Sequence, residues 1–487
     1  MSPHANGDRL TALDAAFWHL ERSGQLLHVG GVYTVEGPLD FARLLADIGE
    51  RLHLIPRYTQ RVVPVPFTLA HPTWEAAPTF DIRDHVQHHV LRPPGDEEQL
   101  AALAGRLFAQ PLDRRRPLWE LHQIDGCAGQ RSALVAKVHH CMIDGVSGVQ
   151  LLGVMFDVSP RPAPVPPPPL DAPVPPIPSR AARVARAVED GVRGAITLLR
   201  DGAAGLADPR RLLRAGGDMV ASLSQIAGVL GAGVVPSPFN GHVSTLRRVA
   251  WATLPLHELK AVKNRIGGTL NDAILTVISA AMRRDLQRRG IDPDGLELRA
   301  MCPVNVRSQD EHLHLGNRVS MMVAPLPVGI HDPFERLRQV RAGMARVKAS
   351  GLAGKMSQVL DLIEWIPAPL QVPLAQLPVW VPPFNTICTN VPGPPVSLYV
   401  QGHRLETLVP LVPLAQGIGL AFAILSYTDT ITIGITADPA LVGDPVPMAE
   451  ALLDAHHELC RVAGVERMPP RRAPVVPERR RRPDRVA

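Results

Sequence analysis

Between Pro160 and Pro178, 11 of 19 residues are proline. No helix interior or central strand tolerates that density, because each proline removes a backbone donor and crowds the preceding turn. The segment reads as a stiff, extended polyproline-type linker. It divides the 487-residue chain into two parts, each long enough to bury a core. The expected units are two α/β domains at 1–159 and 246–465. A Pro-rich linker at 160–179 and a helical connecting segment at 180–245 join them, and a basic, disordered tail occupies 466–487.

Charge narrows the function classes. The net charge is +5, yet Arg467–Ala487 holds eight arginines and two acids and so carries +6, which leaves −1 for the rest. A basic nucleic-acid groove on the body is excluded on that distribution. Hydrophobic residues at 46% and charged residues at 20% exclude a largely disordered chain. Cys127, Cys141, Cys302, Cys388 and Cys460 are scattered and form no CxxC pair. They read as reduced thiols of a cytosolic protein, without a disulfide framework or a zinc site. No signal peptide or transmembrane helix is expected, so any membrane contact is peripheral.

Strands and helices alternate in both halves. Helices are predicted at Leu10–Glu21, Leu39–Leu52, Glu97–Ala109, Leu256–Arg265, Asn271–Arg289, Pro333–Ala349 and Pro445–Ala463. Strands are predicted at Val29–Val35, Trp119–Ile124, Ser132–His140, Leu298–Pro303, Arg318–Leu326, Gly419–Tyr427 and Thr430–Thr436. Arg180–Arg200 forms a helix with Val184, Val188, Val192, Ile196 and Leu199 on one face and arginines opposite. Packing of its apolar face on the body is the first expectation, and docking on anionic lipid the second. Trp365–His403 holds no Asp, Glu, Lys or Arg. It reads either as a core crossing between domains or as a lipid-facing surface.

The chemistry centres on Lys137-Val-His-His-Cys-Met-Ile-Asp-Gly-Val-Ser-Gly148. An apolar strand ends in two histidines, whose ordinary pKa suits proton transfer at neutral pH. Asp144 follows to hold a ring or the loop, and Gly145 allows a turn. Consecutive strand residues point to opposite faces, which argues against His139 and His140 sharing one metal ion. Spacing alone leaves catalytic and structural roles open.

HHxxxDG is the signature of the CoA-dependent acyltransferase superfamily, and further motifs narrow the match. They are Leu10-Thr-Ala-Leu-Asp-Ala-Ala-Phe-Trp-His-Leu-Glu21, Pro117-Leu-Trp119, Asn271-Asp272, Pro303-Val-Asn-Val-Arg307 with Gly316-Asn317, and Thr389-Asn-Val-Pro-Gly-Pro394. In this order the chain resembles the bacterial wax ester synthase/diacylglycerol acyltransferase family from about Leu10 to Ala463. The long Pro160–Pro178 linker and the arginine tail depart from it.

The resemblance implies two chloramphenicol-acetyltransferase-like domains with a tunnel between them. It implies transfer of a fatty acyl group from acyl-CoA, as substrate, to diacylglycerol or a long-chain alcohol, with no cofactor and no metal. His140 is then the general base and His139 its neighbour in the motif. Asp144 is structural, with Arg307 as its ion-pair partner. Asn271 positions substrate or donates to the oxyanion, with Asp272 beside it. A plain helix cap is the simpler reading of that Asn-Asp pair. Asn305 and Asn390 hold loops across the cleft, and Pro117–Trp119 packs. The enzyme is expected in the cytoplasm, at the inner face of the plasma membrane or on lipid inclusions. Two other readings remain: an acyltransferase with a carrier-protein thioester donor, and a non-catalytic lipid-inclusion coat protein.

Overall fold

Two six-stranded sheets carry the architecture. The computed structural model describes residues 9–21, 25–143, 145–162, 164–168, 177–206, 235–305, 319–351, 354, 368–369 and 384–466. Among these, the first half holds helices α1 (Ala12–Leu20), α2 (Phe41–Arg51), α3 (Glu97–Phe108), α4 (Gly145–Met155) and α5 (Arg180–Leu206). The second half holds α6 (Leu256–Ile266), α7 (Leu270–Arg288), α8 (Pro333–Ala349) and α9 (Val446–Val462). Strands up to the linker are β1 (His28–Val35), β2 (Gln60–Val63), β3 (Thr73–Ala76), β4 (Val86–Val90), β5 (Trp119–Cys127) and β6 (Arg131–His139). Beyond it come β7 (Asn240–Gly241), β8 (Arg248–Pro255), β9 (Leu298–Asn305), β10 (Val319–Leu326) and β11 (Thr386–Val391). The last five are β12 (Tyr399–Val400), β13 (His403–Leu411), β14 (Gly417–Ile418), β15 (Leu420–Tyr427) and β16 (Thr430–Ala437).

The first sheet runs β12-β13-β1-β6-β5-β4 and the second β10-β9-β11-β15-β16-β8. β13 belongs to the second half of the chain, yet it pairs antiparallel with β1, Val32 opposite Val409. With β12 beside it, two strands therefore cross the expected border at 245/246. Sequence reading left 403–411 unassigned, because Arg404, Glu406 and Pro410 interrupt its alternation. Gly434 of β16 lets the two sheets touch. A Cβ there would stand 1.9 Å from the carbonyl oxygen of Pro410 on β13.

β6 is buried on both faces. Ala133 and Val135 face α3 residues Leu107 and Phe108 in one apolar cluster. Leu134 and Val138 face the other way, in a cluster with Leu152 and Phe156 and with Leu425 and Tyr427 of β15. Each such large apolar side chain stabilises the fold by about 1.5–3 kcal/mol relative to exposure. The second face therefore looks toward the second half of the molecule.

α5 forms as expected but attaches differently. Arg183 donates to both carboxylate oxygens of Glu75 on β3, at 2.6 and 2.7 Å. Asp190 meets Arg9 at 2.7 Å, and Ala187, between them on the same face, is buried. Val188 and Val192 are more than half exposed. The side chains of Ile196 and Leu199 lie outside the described residues. The helix thus rests on the body through its charged and small residues, not through its valine stripe.

Candidate active site

β6 delivers the two histidines to opposite faces, as pleating requires. Both are pinned by the neighbouring segments. The His139 amide donates to the Leu118 carbonyl at 2.9 Å, and the His140 amide to the Leu27 carbonyl at 2.8 Å. His139 is fully buried and His140 half-buried. By parity His140 continues the Leu134–Val138 face, the one turned to the second half.

The back of the strand is an ionic clamp. The backbone N–H of Cys141 donates to His139 Nδ1 at 3.1 Å, so a neutral ring carries its proton on Nε2. That nitrogen lies 3.5 Å from Glu21 Oε2. The Glu21 carboxylate also accepts from Leu27 N and from Arg114 Nε and Nη2, at 3.2, 3.1 and 2.9 Å. Burial pushes the Glu21 carboxyl up, but His139 and Arg114 outweigh it and hold it down at about 2. The Arg114 guanidinium lies over the Trp18 ring at 4.2 Å. Beside the clamp, Lys137 is fully buried and its Nζ reaches Glu120 at 2.7 Å and two backbone carbonyls at 3.1 Å. His28, opposite His139 on β1, meets the Phe108 carbonyl at 2.7 Å, and burial with the Lys137 charge lowers its pKa to about 3.

The front of the strand holds the second histidine. The Phe17 ring stacks on the His140 imidazole, centroids 4.2 Å apart and planes 21° apart. Phe17 lies on α1, whose N-cap Thr11 side chain accepts from the Asp14 amide. Phe17 and Trp18 are successive residues of one helix, so α1 reaches both sides of the strand end. The sequence places Phe17 and Glu21 in the opening helix motif but reveals neither the contact of Phe17 nor the pairing of Glu21 with Arg114. No local pattern marks them, because their partners are distant in the chain. Cys141 is buried and its thiol pushed well above its ordinary pKa by burial, which removes it as a nucleophile.

From the second half come two asparagines. Asn390 Nδ2 at the end of β11 donates to Asn271 Oδ1 at the start of α7, at 3.3 Å. Val391, the next residue, packs against the same apolar cluster as Met142, Ile143 and Leu151, which flank the motif turn. Asp272 is a capping residue. Its carboxylate accepts from the Thr269 amide at 2.7 Å, and its own amide donates to the Thr269 hydroxyl at 3.2 Å. Gly145 begins α4, and Asn305 ends β9 opposite Val319. Trp119 packs as expected, its indole N–H donating to the Tyr58 carbonyl at 2.9 Å. Asp144, Arg307, Gly316, Asn317, Trp365, Trp380 and the arginine tail lie outside the described residues.

The sequence matches the wax ester synthase/diacylglycerol acyltransferase catalytic domain over residues 10–274. It matches the C-terminal domain of the same family over residues 315–459. A protein of Mycobacterium tuberculosis named a probable diacylglycerol O-acyltransferase, tgs1, is 32% identical over 467 residues, 94% of this chain and 96% of the relative. The fold is similar to that of the wax ester synthase/diacylglycerol acyltransferase from Marinobacter aquaeolei VT8, with TM-score 0.68 and 23% identity over 94% of this chain and 100% of that one. It is also similar to the first condensation domain of the calcium-dependent antibiotic synthetase, with TM-score 0.58 and 15% identity over 93% and 96% of the two chains. The chain belongs to the wax ester synthase/diacylglycerol acyltransferase family and is an acyltransferase enzyme.

Proposed function

We propose that this enzyme transfers a fatty acyl group from acyl-CoA to the hydroxyl of diacylglycerol, and of long-chain alcohols, with His140 as general base. The observation that carries the reading is the fixed, half-buried imidazole of His140 on the sheet face turned toward the second half. The ring takes the proton of the acceptor hydroxyl as its oxygen attacks the thioester carbonyl. The C–S bond breaks, and the imidazolium returns the proton to the departing CoA thiolate. No acyl-enzyme is required, in keeping with the buried, high-pKa thiol of Cys141. Asn271, oriented by Asn390, donates to the oxyanion. A tunnel between the two domains brings the substrates to His140.

The acceptor is insoluble, so the enzyme works at a membrane or lipid-droplet surface on the cytoplasmic side. The exposed Val188–Val192 stripe of α5, flanked by Arg186 and Arg193, supports that reading. No helix of the described residues is long and apolar enough to cross a membrane.

The deciding experiment incubates the purified full chain with labelled acyl-CoA and diacylglycerol, with hexadecanol and an acyl-carrier-protein thioester as parallel arms. Labelled triacylglycerol from wild type and none from His140→Ala is the expected result. Product only from the carrier thioester, or equal product from both proteins, overturns it.

A further inference from the structure

Away from the histidine motif, α6 and α9 enclose a second group of reactive side chains. Glu258 lies in the first turn of α6, and His456 and Cys460 lie four residues apart on α9. Residues at that spacing share one helix face. All three are buried, at 3%, 1% and 2% exposure. Their surroundings are apolar: Leu259, Val262, Leu452, Ala455 and Leu459 belong to the same core cluster.

From this arrangement we propose that Glu258, His456 and Cys460 form a metal site, suited to zinc, that staples α6 to α9. The ligand set is a thiolate, an imidazole and a carboxylate, which is zinc's own menu. Their contacting atoms lie within 4.8 Å of one another. Cys460 Sγ stands 3.6 Å from His456 Nε2 and 3.9 Å from Glu258 Oε2. Tetrahedral zinc, with bonds of about 2.0–2.1 Å to nitrogen or oxygen and about 2.3 Å to sulfur, sets its ligand atoms about 3.3–3.6 Å apart. The two sulfur separations are close to that spacing, but Sγ also lies 3.8 Å from His456 Nδ1, so the sulfur rests beside the ring and the Cys460 side chain must turn toward the Nε2 lone pair to share an ion with it. His456 Nε2 and Glu258 Oε2 are 2.8 Å apart, a hydrogen-bond distance. A carboxylate shift of about half an ångström converts that contact to the spacing of two ligands on one ion.

Electrostatics favours a cation here. A carboxylate in an apolar core is stable only when paired or ligated. A divalent ion serves the carboxylate and the thiolate together. The sequence expectation of no zinc site rested on the absence of CxxC pairs. This group joins residues 198 positions apart, so only the fold assembles it. Because the ligands are sealed in the core, the ion enters as the domain folds, and its binding energy becomes folding energy.

The test uses the full chain expressed in zinc-supplemented medium, dialysed and analysed for metal, with a parallel cobalt(II) preparation. A single zinc per chain is expected. The cobalt form should show thiolate-to-cobalt charge-transfer absorption. That band should vanish in Cys460→Ala and weaken in His456→Gln and Glu258→Gln, yet persist in Cys141→Ala. Chelator should lower the thermal midpoint of wild type, and this measurement holds even where a variant does not fold. Metal-free wild type with no cobalt band and no chelator effect overturns the site, leaving a hydrogen-bonded core trio. A band that survives Cys460→Ala overturns it as well.

Discussion

The phenyl ring of Phe17 lies nearly parallel to the imidazole of His140, 4.2 Å away. The stack fixes the plane of the ring and offers a π face to the imidazolium that forms during proton transfer. Phe17→Leu keeps the apolar volume but removes that face. A fall in kcat of about 10-fold with little change in KM is expected, against about 10²–10⁴-fold for His140→Ala. Steady-state kinetics with acyl-CoA and diacylglycerol read both. Equal rates for Phe17→Leu and wild type would show that the stack does not orient the base.

On the opposite face, Glu21→Gln weakens the clamp on His139 and leaves the Arg114 charge without its partner. Arg114 keeps partial solvent contact, with 39% of its side chain exposed, so the destabilisation is moderate, about 1–3 kcal/mol. Urea denaturation measures it. Activity per folded molecule should fall less than in His140→Ala, because His139 lies fully buried on the opposite face of the strand.

Asn271→Ala should lower kcat by about 10²-fold, in line with loss of one oxyanion donor. Asn390→Ala should lower it less, since Asn390 acts by orienting the Asn271 amide. Both variants should melt close to wild type, because Asn390 is exposed and Asn271 only half-buried. A lowered melting point with unchanged kcat would reassign the pair to structure.

Stability should fall as pH drops below about 6.5. His28 is buried in its neutral form with its pKa lowered to about 3, whereas an unfolded histidine titrates near 6.5. The unfolded chain therefore binds the proton first. The stabilisation is complete above the unfolded value and lost progressively between the two. One such group changes stability by at most about 1.4 kcal/mol per pH unit. Glu21 and Glu120, both held down at about 2, add the same sign only below about 4.5. Urea midpoints between pH 7.5 and 5.5 should show the slope, and His28→Gln should reduce it, with His71, lowered by burial to about 4, supplying part of the remainder.

Membrane attachment should depend on the valine stripe of α5. Val188→Asp with Val192→Asp is expected to abolish flotation with anionic liposomes at high salt. Removal of residues 467–487 should weaken flotation only at low salt, where basic residues near the surface contribute about 1 kcal/mol each. Flotation that withstands the double substitution would move the contact elsewhere.

Local elements were legible because their signals are local. Thr11 caps α1, the Thr428–Asp429 turn joins β15 to β16, and the apolar run of β6 ends at the histidines. The motif residues followed from their order in the chain. What stayed hidden depends on contacts between remote positions. Phe17 meets His140, Asn271 meets Asn390, and Glu21 meets Arg114, and no periodicity encodes those meetings. α5 shows the limit most plainly. Its 3.6-residue rhythm revealed a valine stripe but not its direction, which the pairs Arg183–Glu75 and Arg9–Asp190 decide.

The strand at 403–411 has a consequence for how the enzyme comes into being. β1 carries the carbonyls and amides that β13 satisfies, and β1 is made some 370 residues earlier, taking His403 less Val32 as 371. A nascent chain therefore leaves the ribosome with the histidine sheet open at one edge, a template for pairing with a neighbouring chain. Closure waits until about five-sixths of the polypeptide has emerged. The ribosome thus releases an incomplete sheet for most of translation, and catalytic competence arrives only when the message is almost fully read. Cutting the chain at its proline linker would yield fragments that need each other to finish a single sheet.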